Sequence, residues 1–221
     1  MCGRFVRSKE PEAYGQMFGL SEVPVLEANY NTAPTQPVIV VRMVDHHKAC
    51  AVMRWGLIPF WAKDKKSSFI NARDDSVIEK PAFKAAVKRR RCLVLADGYY
   101  EWLTEGKAKT PFYFHMKDDK PLAFAGIWDT WKGEETPIES CAIITTSAND
   151  LSRPIHDRMP AVLRGADAEA WLDPDIEDPA ALTQLLRPYP PAEMVCDRVG
   201  PYVNSVKNHG PQCVEIVKEL F

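Results

Sequence analysis

Short apolar runs dominate the chain. Val38 to Val44, Ala49 to Arg54, Cys92 to Ala96, Phe112 to Met116, Leu122 to Trp128 and Cys141 to Thr146 all have strand length, with turn-formers or charges between many of them. Helical spacing is rarer and is found at Glu10 to Phe18, Pro81 to Arg90, Ala166 to Leu172, Pro179 to Leu186 and Pro211 to Leu220. Strands gather in the middle and helices toward the ends, without the regular alternation that builds a doubly wound parallel sheet. The pattern predicts an α+β fold of mainly antiparallel, strongly curved, barrel-like sheets with flanking helices. No Gly/Ser-rich or Pro-rich linker divides the sequence, so residues 1–221 are expected to form a single domain. The acidic, proline-marked stretch from Asp173 to Pro179 reads as a surface loop.

Composition narrows the setting. With 221 residues, 46% of them hydrophobic, the chain can bury a substantial core. No run of about 18 apolar residues and no secretory h-region is present, so a soluble, cytoplasmic protein without membrane contact is expected. Six cysteines are scattered without a C-x-x-C pair, which indicates neither a disulfide framework nor a metal. A formal net charge of -2 argues against a protein that coats duplex nucleic acid non-specifically, while leaving room for a local basic cleft. The densest basic run, Lys88 to Arg91, follows the helical pair Phe83 and Val87 and reads as a solvated helix end whose cations complement the dipole.

The start of the chain raises a chemical question, because Met1 is followed at once by Cys2 and Gly3. Initiator methionine is generally removed before a small residue, which leaves Cys2 with two nucleophiles. An α-amine with a pKa of about 7.7 to 8.0 is far more available as free base near neutrality than a lysine at about 10.4. The adjacent thiol completes a 1,2-aminothiol, which condenses with an aldehyde to a five-membered thiazolidine; no internal cysteine can do this. Taken alone, Cys2 reads more readily as an incidental position-two residue or a small buried hydrophobe, and the rest of the chain changes that reading.

Polar groups also stand where the local pattern is otherwise that of a core. Asn71 and Arg73 follow the apolar pair Phe69 and Ile70. The run Cys92 to Trp102 leads a buried-looking strand through Gly98 to Glu101, a carboxylate flanked by aromatics that would titrate near neutrality if buried. The competing reading is a surface Glu on an amphipathic strand. His156 sits between Pro154 and Pro160 with Asp157 and Arg158 beside it, and histidine is the side chain best suited to proton transfer at neutral pH. His46, His47, His115 and His209 carry no comparable company. Gly56 and Pro59 favour a turn that would display Phe60 and Trp61, with a core tryptophan as the alternative.

Cys2-Gly3-Arg4, Tyr30 to Thr35, Trp55 to Trp61, Asn71-Ala72-Arg73, Gly98 to Trp102, Phe124 to Trp128 and Ile155 to Pro160, continued by Val203 to Val206, resemble the ordered motifs of the SOS-response-associated peptidase (SRAP) family. The resemblance covers nearly the whole chain. It implies recognition of abasic sites in single-stranded DNA and their covalent capture through Cys2, without a cofactor or metal, by a monomer that joins the nucleoid when it acts. It further implies lyase-type imine chemistry, and a peptidase activity that exposes Cys2. In this reading Glu101 orients the amine and moves its proton, His156 assists opening of the sugar ring, and Asn71 hydrogen-bonds the sugar or the amine. Arg4, Arg73 and Arg158 would hold phosphates, and Pro34, Phe60, Trp61, Trp102 and Thr145 complete the expected DNA contacts. One departure stands out: the family often has Glu two places after the Arg of Asn-Ala-Arg, where this chain has Asp75. Two other classes fit the residues: an amidohydrolase using the Cys2 thiol, and a non-catalytic single-strand binder built on stacking and a basic groove.

Overall fold

The computed structural model describes residues 2–217. Among these, twelve strands fall into two sheets with four short α-helices around them. Strands β1 (Phe5–Arg7), β2 (Asn29–Thr32), β7 (Gly98–Glu105), β8 (Ala108–Met116) and β12 (Met194–Arg198) form one sheet in the order β12-β8-β7-β1-β2. The second contains β3 (Pro37–Val44), β4 (His47–Trp55), β5 (Asn71–Arg73), β6 (Arg91–Ala96), β9 (Leu122–Trp131), β10 (Ile138–Ser147) and β11 (Arg158–Pro160). Here β10-β4-β3-β6-β9 close on themselves, because β9 pairs back onto β10. Closure removes the unpaired edges that an open sheet would leave, so the expected barrel-like curvature is present. The pairings are mainly antiparallel; β4 and β5 are the exceptions, running parallel to β10.

Strand β10 organises the second sheet. Its first half lies between β9 and the end of β4: Ser140 faces Asp129 on one side and Arg54 on the other. Its second half lies between β5 and β11, with Thr145 opposite both Arg73 and Pro160. The barrel thus hands one strand on to two three-residue strands that carry Asn71, Arg73 and Arg158.

The central runs are apolar at successive positions because both faces are covered. In β3, Val38 and Val40 pack with Phe5, Trp55, Tyr99 and Phe124, while Ile39 and Val41 pack with Tyr14, Val87 and Trp171. Helices α1 (Pro11–Phe18), α2 (Lys84–Arg89) and α4 (Pro179–Gln184) fall inside three of the five predicted helical stretches, and α3 (Gly165–Leu172) matches a fourth, starting one residue earlier. The fifth is a correction. Pro211–Val214 forms only a 3-10 turn, after which the Gly200 N–H donates to Glu215 O and the Val217 N–H to Arg198 O. Pairing with the end of β12 outcompetes helix continuation as far as residue 217, and residues 218–220 of that prediction lie outside the described residues.

Lys88 and Arg89 close the last turn of α2 as expected, but the fourth cation of the basic run departs from that role. Arg91 is buried, not solvated, and its guanidinium donates to the carbonyls of Val87 and Lys88 at the end of α2 and of Trp171 and Asp173 at the end of α3. One cation therefore satisfies orphan carbonyls of two helix ends. Arg91→Ala is expected to cost about 2 to 4 kcal/mol, because buried carbonyls lose a charged donor. A melting temperature within about 2 °C of the parent chain would contradict this.

Candidate active site at the start of the chain

Residues near a chain terminus usually fray, but here those from Cys2 to Arg7 are held from three directions. β1 pairs with β2 on one side and β7 on the other, Phe5 facing both Thr32 and Tyr99. The Tyr100 N–H donates to Arg4 O at 3.0 Å. Continuing this register by two residues sets Glu101 opposite Gly3. From the second sheet, Asn71 Nδ2 donates to Cys2 O at 2.7 Å, across 69 residues of sequence. Cys2 is 0% exposed and packs in the same cluster as Phe5, Trp55 and Tyr99.

Strand alternation selects what faces this point. On β7, Tyr99 and Glu101 share one face while Tyr100 and Trp102 take the other. On β5, Asn71 and Arg73 share a face and Ala72 points into the core. Glu101 is only 3% exposed, which settles the sequence alternative in favour of a buried carboxyl. Burial is the main cause that raises its pKa to about 7, helped by the Asp157 charge. Burial, with the nearby Glu101 charge, pushes the Cys2 thiol well above its ordinary range. Asn71 Oδ1 is a buried acceptor with no hydrogen-bond partner among the described residues, a position that a ligand donor would relieve.

His156 lies in the loop before β11, its side chain 28% exposed. The Arg158 backbone N–H donates to His156 Nδ1 at 3.0 Å. A backbone N–H can only donate, so neutral His156 carries its proton on Nε2. The largely exposed Asp157 carboxylate lies 2.9 Å from the same Nδ1, but burial wins and lowers the imidazole pKa, favouring the neutral ring.

The three expected arginines are all engaged with protein groups. Arg158 is nearly buried; its Nη2 donates to Asp74 Oδ1 at 2.6 Å and to the Thr145 carbonyl. Arg73 donates from Nε and Nη2 to Asp75 Oδ2 at 3.2 and 2.8 Å, with both side chains about half exposed. Burial is the largest single influence on the Asp75 carboxyl and raises its pKa, but the Arg73 hydrogen bond and charge together with Ser76 and Arg158 outweigh it and hold the carboxyl below its ordinary range. Arg4 donates to Asn31 Oδ1 at 2.9 Å and lies over the Trp102 ring, 5.8 Å from its centroid. Thr145 is fully buried, its hydroxyl between Ala72 O and the Arg158 guanidinium, so its contact is with protein.

Phe60 and Trp61 are 62% and 54% exposed, as the turn before them suggests. Trp61 lines a groove of about 460 Å³ with Phe69, Asn71, Arg73 and Phe83. A second groove of about 410 Å³ is bounded by Gly3, Arg4, Trp102, Thr104, Lys109 and Asn204. Each groove borders a residue next to Cys2 in space or in sequence. Pro34 is half-buried in the turn after β2 and lines neither. A larger cavity of about 610 Å³, under Gly19 to Pro24, Lys48 and Cys50, contains none of the predicted site residues. Sequence reasoning missed Asp74, Asn31 and Asn204; Asp74 was the most legible, since it directly follows the Asn-Ala-Arg run. It also gave His115 no partner, yet Nε2 lies 2.9 Å from Asp197 Oδ2. Among the described residues no group of His, Cys, Asp or Glu could hold a metal, and no helix is long and apolar enough to cross a membrane.

Fold and site together define a class: an α+β protein of two curved sheets whose first residues are pinned beside a buried carboxyl and an amide. Residues 1–206 match the SOS response associated peptidase (SRAP) family, and the chain belongs to it. It is 38% identical to the abasic site processing protein YoqW of Bacillus subtilis (strain 168) over 222 aligned residues, 97% of this chain and 99% of that one. It is 36% identical to the abasic site processing protein HMCES of Gallus gallus, over 73% of this chain and 56% of that protein. A crystal structure of a protein from Bacteroides thetaiotaomicron superimposes with a TM-score of 0.87 at 29% identity, covering 98% of this chain and 100% of that one.

A carboxyl held near pKa 7 has a stability consequence with a definite sign. Between the ordinary value of 4.5 and about 7 the folded chain binds a proton that the unfolded chain has released, so this group lowers stability as pH rises through that window. Glu101→Gln keeps the shape without the charge. It is expected to stabilise the chain above pH 7 by up to about 3 kcal/mol, at roughly 1.4 kcal/mol per pKa unit. The gain should vanish below about pH 4.5. Melting temperatures of the two chains at pH 4 and pH 8 test this, and a pH-independent difference would refute it.

Proposed function

We propose that this chain processes abasic sites in single-stranded DNA by forming a covalent thiazolidine crosslink through Cys2 after loss of Met1. One observation carries the reading: Asn71 Nδ2 donates to Cys2 O at 2.7 Å, tying the chain start to a strand that is remote in sequence. The buried Glu101, two residues further along the β1–β7 register, and the relatives named abasic site processing proteins support it.

The chemistry follows from the groups. While Met1 is attached, the Cys2 nitrogen is an amide and cannot form an imine, so hydrolysis of that bond, by the chain itself or by an aminopeptidase, comes first. Open-chain abasic deoxyribose presents an aldehyde. The Cys2 amine attacks its carbon, and the resulting hydroxyl leaves as water once it is protonated, giving an iminium ion. The thiol then adds across the C=N bond: the C–S bond forms, and the thiol proton passes through Glu101 to solvent. The net reaction releases one water and needs no oxidant. Glu101, titrating near neutrality, is suited to both proton transfers. The Nε2 proton of neutral His156 is suited to the sugar oxygen during ring opening. If β-elimination at the imine outruns thiol addition, the strand is cut, which is the lyase reaction. The exposed Trp61 offers a ring for a neighbouring base, and Arg73, freed from Asp75, a phosphate contact.

The test is to mix the purified chain with a single-stranded oligonucleotide bearing one abasic site and look for a heat-stable adduct by gel and intact mass. A mature chain starting at Cys2 should give that adduct, with mass lower by one water than the sum of the reactants. Cys2→Ser and Cys2→Ala should give at most a borohydride-trappable imine, and a chain retaining a residue before Cys2 should give no stable adduct. Full yield from the blocked chain would overturn the mechanism.

Two further outcomes separate binding from chemistry. The capture rate should rise with pH through about 7 as Glu101 loses its proton, and Glu101→Gln should flatten that rise. Trp61→Ala should weaken binding by about tenfold, since a stacked base contributes about 1 to 3 kcal/mol, while its melting temperature stays close to that of the parent chain. Unchanged affinity together with a large fall in melting temperature would make Trp61 a packing residue.

A further inference from the structure

His156, the proton donor of the proposed ring opening, stands in the loop 148–157 between β10 and β11 and on no strand of its own. A loop side chain is only as well placed as the bonds that fix its loop. At the base, the Ala148 N–H donates to Asp157 O at 3.0 Å. Inside, the N–H groups of Ile155 and His156 both donate to Ser152 O, at 3.0 and 2.9 Å. Ser152 in turn donates twice to one acceptor, its N–H at 2.9 Å and its hydroxyl at 3.0 Å from Asn149 Oδ1. Asn149 Nδ2 then donates to Tyr189 O at 2.8 Å, in the segment between α4 and β12. Asn149 and Ser152 are buried, while Asp150, Arg153 and Pro154 around them are exposed. Buried polar side chains are retained where they satisfy specific partners, and here each satisfies the other. An unbroken series of bonds therefore runs from Tyr189 through Asn149 and Ser152 to the His156 backbone. The Arg158 N–H holds the ring at Nδ1, so backbone and ring are fixed separately and the direction of Nε2 is set.

We propose that Asn149 is a positioning residue: through Ser152 it holds the His156 backbone so that the Nε2 proton meets the sugar oxygen as the ring opens. The inference rests on the role given to His156 in the proposed function. Asn149 acts through one atom. Oδ1 accepts both Ser152 bonds, so loss of that acceptor strands a buried N–H and a buried hydroxyl together, and a partly satisfied buried network loosens as a unit. Ser152 O then no longer stays where the N–H groups of Ile155 and His156 meet it. A reacting group displaced by about 1 Å can slow its step by as much as about a hundredfold. The bond from Asn71 to Cys2 O belongs to another part of the site, so the defect is confined to ring opening and spares attack by the amine on an aldehyde that is already open.

The experiment reads single-turnover capture rates at saturating DNA on two single-stranded oligonucleotides. One carries a true abasic site, whose sugar is mostly the closed hemiacetal. The other carries an aldehyde on an acyclic linker, with no hydroxyl placed to close a ring. Asn149→Ala should capture the first about tenfold more slowly than the parent chain and the second at nearly the parent rate. His156→Ala should show the same selectivity with a larger loss, about a hundredfold, the size of a missing proton donor. Adding Asn149→Ala to His156→Ala should cost nothing more, because no imidazole is left to position. Asn149→Asp keeps an acceptor for both Ser152 bonds and loses the donor to Tyr189 O, so its melting temperature should fall while its rate on the closed sugar stays near that of the parent. Ser152→Ala removes the hydroxyl bond alone and should give a smaller loss, equally selective; alone and combined with His156→Ala, it carries the test if Asn149→Ala does not fold. Equal losses on the two oligonucleotides, a further loss in the double variant, or rates that follow melting temperature across the Asn149 variants would overturn the proposal. A His156→Ala chain without selectivity would remove the ring-opening role and this inference with it, whereas a parent chain that captures neither oligonucleotide would remove the crosslinking reading itself.

Discussion

Everything at the site depends on holding the first residues of the chain still. A terminus gains little from secondary structure, since it has neighbours on one side of the sequence only, and ordering each residue costs about 1 to 2 kcal/mol of backbone entropy. Here β1 is three residues long, yet it is hydrogen-bonded on both edges, and Phe5 packs between Trp55 and Phe124 at ring separations of 5.0 and 6.0 Å. The aromatic anchor sits three residues from Cys2, close enough that the Asn71 hydrogen bond has only a short segment left to fix. Pinning comes from packing across two sheets.

The electrostatics follow the same economy. Arg73 and Arg158, the cations that the family resemblance assigns to phosphates, are each matched by an adjacent carboxylate, Asp75 or Asp74. A chain of formal net charge -2 thus holds both of these cations already paired. The two pairs differ. Arg73 and Asp75 are half exposed, where an ion pair is worth under about 1 kcal/mol and a phosphate can replace the carboxylate. Arg158 is nearly buried and also serves the Thr145 carbonyl, so much of its charge is committed to joining β10, β11 and the turn after β5. The shorter arm of Asp75 still reaches Arg73, and Arg158 Nη1 lies 4.0 Å from it.

How much of this was legible depended on length. The long strands announce themselves because both faces are buried, leaving apolar runs such as Val38 to Val41 and Cys92 to Ala96. The three-residue strands β1, β5 and β11 carry too few residues for any period to register, yet β1 follows Cys2 directly while β5 and β11 carry Asn71 and Arg158. Their residue types were nonetheless readable, as polar groups interrupting otherwise buried stretches. Glu101 illustrates the limit: the flanking aromatics left burial and exposure equally open, and only the pairing of β7 with β1 on one edge and β8 on the other decides between them. Arg91 was misread for a related reason. Four consecutive cations look like a solvated helix end, and nothing local reveals that the fourth meets a second helix from 80 residues away.

Burial also fixes the order of events that the proposed chemistry would follow. The environment that lifts Glu101 to about 7 lifts the Cys2 thiol further, because both charged forms lose solvation in the same apolar surroundings. A thiol held protonated is a poor nucleophile toward a neutral aldehyde, whereas an unprotonated α-amine is a good one. The amine therefore leads, and the iminium it creates is the electrophile that a neutral thiol can attack once a base removes its proton. A buried cation also lowers the cost of ionising its neighbours, so iminium formation itself favours the anionic Glu101 needed for the second step. Glu101 destabilises the resting fold at neutral pH, and that cost keeps a proton acceptor in place without committing the thiol to react before the aldehyde has been bound.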